Sequence, residues 1–139
     1  MTMSASRARF ALTLLWHVAF AVGLAIAVHL YLTDWVEADN LEACLKQLNS
    51  LYVPYVGVMA TFYFTRSVAD DIGAAPSRFA LAIATSLAWN VFVLLFLVRL
   101  EFGRGTIEEA IEQMASTGRL LSWLVAPAVG YYFAQPAKK

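Results

Sequence analysis

Four apolar runs, at residues 10–32, 48–64, 79–100 and 120–134, alternate along the chain with short polar segments. A hydrocarbon core of about 30 Å takes roughly 20 mostly apolar residues at about 1.5 Å each, so the first and third runs cross it unaided. The second and fourth are shorter and rely on flanking Tyr and Trp residues to complete a crossing. The pattern predicts an all-α integral membrane protein with four transmembrane helices in a single domain over residues 1–139. Arg7 and Arg9 ahead of the first run, with Ala25-Ile26-Ala27 inside it, resemble a signal peptide. Apolar character continues to Leu32, however, so the run reads as a retained first helix.

The polar segments between runs one and two and between runs three and four carry a helical period of their own. Leu41, Cys44, Leu45 and Leu48 recur at i, i+3, i+4 and i+7, as do Ile107, Ala110, Ile111 and Met114, with acids on the opposite face. Each predicts a short amphipathic helix in an outer loop, and Thr106 with Glu109 predicts a capping box at the start of the second. These helices read as surface or capping elements, with an acidic collar that gathers cations as the sharper alternative.

The two halves resemble one another. RFALTLLWHV (9–18) is echoed by RFALAIATSLAWNV (78–91), and a shift of 73 residues aligns Trp16 with Trp89, Pro54 with Pro127 and Gly57 with Gly130. Two tandem hairpin repeats are therefore expected, 9–66 and 78–139, related by a pseudo-twofold axis along the membrane normal. Pro54 and Pro127 are expected to kink their helices.

Inside the spans, polar residues are few. His17, Ser86 and Asn90 are the intramembrane polar positions, and the repeat makes His17 the counterpart of Asn90. Facing inward, the two would hydrogen-bond and hold helices together, or line a polar path. Small residues recur every fourth position: Ala19, Gly23 and Ala27 in the first span, Gly57 in the second, Ala80, Ala84 and Ala88 in the third, Ala126 and Gly130 in the fourth. Such rows let helices approach closely. In the third span, Ala82, Ser86 and Asn90 make a second row about 200° around the helix, so one face serves the bundle and the other is open to a second copy or partner. The aromatic residues read as interface anchors, Tyr31, Trp35, Tyr52, Tyr55 and Trp123 outside and Trp16, Tyr63, Tyr131 and Tyr132 inside.

Composition fits this picture, with 60% apolar and 14% charged residues. The formal charge of zero hides a split. Arg7, Arg9, Arg66, Arg78, Lys138 and Lys139 flank one side with only Asp70 and Asp71, whereas the two outer loops hold eight acids. Basic residues stay inside, so both termini are expected in the cytoplasm, here of a bacterial inner membrane. The balance leaves no basic surface for nucleic acid. Cys44 cannot form an internal disulfide and, near the outer face, is placed to link two copies. No nucleophile with its base, carboxylate pair or metal constellation appears, so no enzymatic activity, cofactor or metal is expected. The reading is a small self-associating membrane module, an effector or accessory subunit that assembles with itself or a membrane partner, with an oligomeric pore as one way of acting. The alternative is an ion or solute channel or transporter with His17 and Asn90 at its intramembrane site.

Overall fold

The computed structural model describes residues 4–65 and 76–133, and the fold is all helical. Helix α1 spans Ala5–Leu32, α2 Ala38–Thr65, α3 Pro76–Glu101, α4 Ile107–Leu120 and α5 Ser122–Phe133. Ser4 caps α1 by accepting from the Arg7 amide, 3.3 Å away. Thr33 ends it, and Asp34 turns the chain with φ +60°. Gly103 and Gly105 supply the positive φ angles after α3, and the capping box of Thr106 and Glu109 starts α4 as expected.

Helices α4 and α5 form one column broken at Leu121. The break leaves carbonyls at the end of α4 that need donors, and three of them find one across or beside it. The Leu121 amide donates to the Thr117 carbonyl, the Trp89 indole Nε1 to that of Gly118, and the Ser122 hydroxyl to that of Arg119. The first amphipathic segment, by contrast, is no separate helix. It is the opening of α2, which runs without a break through Leu48 into its apolar half.

Helices α1 and α3 are long and apolar enough to cross a membrane, over Ser6–Leu32 and Pro76–Glu101. Helix α2 falls short because Asn49, Ser50, Pro54 and three tyrosines dilute its apolar half, and α5 has only 12 residues among those described. Arg66, Asp70, Asp71, Ala134, Lys138 and Lys139, which the orientation, repeat and span boundaries invoke, lie outside the described residues.

The four columns stand in a square of α1, α2, α4–α5 and α3, with α1 packed along α3 and α2 along α4–α5; α2 and α3 stand on a diagonal and meet only through large side chains at the centre. A twofold axis along the bundle would exchange opposite corners, yet the helices it has to exchange, α1 and α3, are neighbours. The expected pseudo-twofold is therefore replaced by two hairpins side by side. The core runs the length of the square, through Leu12, Trp16, Leu48, Tyr52, Met59, Trp89, Val93, Leu97, Met114 and Val125, all under 2% exposed.

Candidate functional site

The centre of the bundle is an aromatic box. Trp16 of α1 lies 5.0 Å from Trp89 of α3 and 4.6 Å from Tyr55 of α2, ring centre to ring centre. Tyr52 meets both indoles edge-on at 5.9 and 5.2 Å. The expectation that Trp16 anchors the inner interface and Tyr52 and Tyr55 the outer one is thus corrected: all three close on one another mid-bundle. Offset and edge-to-face pairs of this kind add about 0.5–1.5 kcal/mol each beyond the area they bury.

The box is held from the far side by Gly118. Its carbonyl accepts from Trp89 Nε1 at 2.9 Å, and a Cβ at this position would lie 2.7 Å from Leu51 Cδ2. Glycine lets α4 approach α2 this closely without displacing the buried Leu51 side chain. The sequence reading missed Gly118. Its signal was the buried stripe Ala110, Met114, Gly118, one residue every fourth position on the inner face of an amphipathic helix.

Ser86 and Asn90 both point into the bundle, at 0% and 3% exposure. Asn90 Nδ2 donates to the Ser86 carbonyl at 2.7 Å, one turn back on its own helix, while Asn90 Oδ1 and Ser86 Oγ have no partner. Trp16 Nε1 and Tyr52 Oη are buried in the same condition. His17 is half-buried and its Nδ1 pairs with the Thr13 carbonyl at 2.8 Å. No hydrogen bond joins His17 to Asn90. The interhelical pair at this level is Trp16 with Trp89, one residue earlier in each half. Asn90 also lines an apolar cleft of about 310 Å³ between α1 and α3, with Leu15, Val18, Leu87, Val91 and Leu95.

The small-residue rows divide. Ala19, Gly23 and Ala27 are buried, and a Cβ on Gly23 would lie 3.0 Å from Leu94 Cδ2 and 3.2 Å from Leu48 Cδ2. On α3, Ala82 is buried with Ser86 and Asn90, while Ala80 and Ala84 are exposed and Ala88 is half-buried. Ala126 is exposed, and a Cβ on Gly57 or Gly130 would meet nothing within 4 Å. Pro54 and Pro127 sit inside α2 and α5 on exposed faces.

Polar ties close both ends. At the acidic end, Arg99 donates to Gln113 at 2.7 Å and pairs with Glu109 at 3.6 Å, Asn40 donates to Glu108 at 3.2 Å, and His29 lies 3.8 Å from Glu101. Glu108 is held below the usual carboxylate range by its own backbone amide and the Thr106 hydroxyl, with a smaller pull from Asn40. Cys44 is 1% exposed, and burial pushes its thiol up to about 11. It is therefore not presented for a link between copies. At the opposite end, Arg9 Nε donates to the Tyr132 carbonyl at 2.8 Å and Arg78 donates to Tyr131 Oη at 2.9 Å.

Among the described residues, no group of three His, Cys, Asp or Glu side chains is placed to hold a metal ion. Comparison with protein-family models, curated proteins and solved structures gives no match.

Proposed function

We propose that the chain is an integral membrane protein that crosses the bilayer four times and acts as a non-enzymatic, self-associating module, with both termini on the cytoplasmic side of a bacterial inner membrane. The observation that carries this is the division of α3 into two working faces. Ala82, Ser86 and Asn90 are spent on the chain's own bundle, whereas Ala80 and Ala84 stand on an exposed, otherwise apolar surface with Leu81, Leu87 and Val91. Apolar surface of this extent is not left to water. Small residues in that surface give a second helix room to approach.

The reading of the two hairpins as copies is supported by burial. Buried positions recur at a spacing of 74: Ala8 with Ala82, Leu12 with Ser86, Ala19 with Val93, Leu51 with Val125 and Met59 with Phe133. Sequence identities recur at 73. One residue turns a helix by about 100°, close to the quarter turn between neighbouring corners of a square. Copies placed side by side need that step to aim each core face at the common centre.

Native mass spectrometry of the chain released from nanodiscs tests the proposal. A discrete oligomer is expected, shifting to monomer in Ala80→Leu/Ala84→Leu. A monomeric wild type, or an oligomer indifferent to that change, overturns it.

A further inference from the structure

Two arginines end an unbroken run of contacts at the basic end of the bundle. Arg9 lies over the Phe62 ring at 4.7 Å and donates through Nε to the Tyr132 carbonyl. The Tyr132 ring meets that of Tyr131 edge-on at 5.1 Å. Arg78 in turn lies 5.4 Å from the Tyr131 ring centre and donates to its hydroxyl. Each guanidinium is thus fixed by an aromatic face and one hydrogen bond, and neither has a carboxylate partner among the described residues. Both head the same tetrapeptide, Arg-Phe-Ala-Leu, at residues 9–12 and 78–81.

The surroundings add to the positive charge. Helices α1 and α3 are parallel neighbours whose N-termini lie at this end, and neither has an acid in its first turn. Among the described residues, the positive ends of both helix dipoles therefore have no acid in the first turn to offset them. Among the described residues, the Arg9 bond to Tyr132 uses only Nε and the Arg78 bond to Tyr131 uses one terminal nitrogen, leaving the other donors of each fork for a ligand. Arginine forks match the oxygens of a phosphate in pairs. The aromatic rings beneath them hold the cations at the level where a bilayer meets water.

We infer that Arg9 and Arg78 form a binding site for the phosphate of an anionic membrane phospholipid. This rests on the membrane reading above but not on self-association. The lipid phosphodiester bridges α1 and α3 while its acyl chains run down their exposed apolar faces.

The test compares nanodiscs of phosphatidylglycerol and phosphatidylcholine, counting lipids that stay on the released chain by native mass spectrometry. Phosphatidylglycerol is expected to remain on the wild type and phosphatidylcholine to leave. Each arginine near an anionic surface strengthens attraction about fivefold, so Arg9→Gln/Arg78→Gln lowers the preference about 25-fold. Because Arg9 also caps the end of α5, Arg78→Gln alone is measured beside it, with about a fivefold loss expected. Arg104→Gln at the acidic end leaves retention unchanged. Equal retention of the two lipids, a preference undiminished by Arg78→Gln, or displacement by millimolar inorganic phosphate overturns the inference. A chain that fails to enter nanodiscs would instead overturn the membrane reading itself.

Discussion

Trp16 and Trp89 meet with ring centres 5.0 Å apart and planes inclined by 34°, joining α1 to α3 at the middle of the bundle. The two indoles are equivalent in sequence but not in bonding. Trp89 Nε1 caps the Gly118 carbonyl, whereas Trp16 Nε1 is buried with no partner. Trp16→Phe removes an unsatisfied donor and Trp89→Phe removes a made bond. Trp89→Phe is expected to cost about 1–3 kcal/mol more, since it leaves a buried carbonyl bare. Trp→Ala at either position should cost about 3–5 kcal/mol. Chemical unfolding in detergent reads all four variants, and equal losses for the two Phe variants would remove the capping role.

Gly118 and Gly57 make a matched pair. Gly118→Ala drives a methyl against Leu51 and, at 3.4 Å, Val93, and is expected to destabilise by about 1–3 kcal/mol. Gly57→Ala meets open space and should be neutral or stabilise by up to about 1 kcal/mol through helix propensity. Leu51→Ala ought to rescue part of the Gly118→Ala loss. If both glycine variants unfold alike, the close approach of α4 is not what Gly118 provides.

Asn90 reverses an expectation drawn from sequence. As interhelical glue it would lose stability on conversion to Leu. With Oδ1 unsatisfied and its one bond made to its own helix, Asn90→Leu is expected to be neutral or to stabilise by about 1 kcal/mol. His17→Leu should change stability little, because its Nδ1 bond also stays within its own turn. A joint loss above about 1 kcal/mol, larger than the two single effects added, would restore a coupling between them.

These cases show what the sequence could and could not reveal. The helices, the capping box and the two small-residue rows of α3 follow from a 3.6-residue period that local chemistry obeys, whereas the helices packed around α3 decide that the row of Ala82, Ser86 and Asn90 turns inward. Trp16 and Tyr52 were misplaced because an amphipathic ring suits an interface and a core equally well. Which of these it occupies depends on the ring that meets it from another helix. Gly118 was overlooked for a related reason: a glycine within a helix looks like a weak point until the Leu51 side chain fills the space beside it. The square arrangement of columns is equally tertiary, since a repeat in sequence fixes likeness and not the operation that relates the copies.

Acid should loosen the tie between α2 and α4. The folded state holds Glu108 below the ordinary value of 4.5, through its own backbone amide first and then the Thr106 hydroxyl. A depressed carboxylate contributes stability above its unfolded pKa, and that contribution is lost as pH falls through the lower folded value. Amides of the first turn of α4 are therefore expected to exchange faster as pH drops below 4.5, after correction for intrinsic rates. Glu108→Gln should flatten this dependence while Glu112→Gln leaves it. A pH response identical in wild type and Glu108→Gln would rule the linkage out.

Cys44 gives a check on the core at the acidic end. Its thiol is buried and raised to about 11, so almost no thiolate exists near neutrality. Maleimide labelling of the folded chain in nanodiscs is expected to be at least about 100-fold slower than after denaturation, combining low ionisation with low access. Fast labelling, or a disulfide-linked dimer under mild oxidation, would mean that α2 leaves its place against the bundle.

The two faces of α3 make the sharpest separation between folding and assembly. Ala82 is 2% exposed and packs in the core, so Ala82→Leu overfills a closed space and is expected to cost about 1–3 kcal/mol of fold stability. Ala84 is exposed two residues later, so Ala84→Leu adds its bulk outside the bundle and should leave unfolding unchanged. Under the self-association reading, Ala84→Leu also holds helices apart and weakens association, about tenfold in the constant if it removes about 1.4 kcal/mol of packing. The two measurements must diverge, with unfolding sensitive to Ala82 and copy number to Ala84. If Ala84→Leu alters neither, even in combination with Ala80→Leu, the exposed row faces lipid and the self-association reading built on it falls.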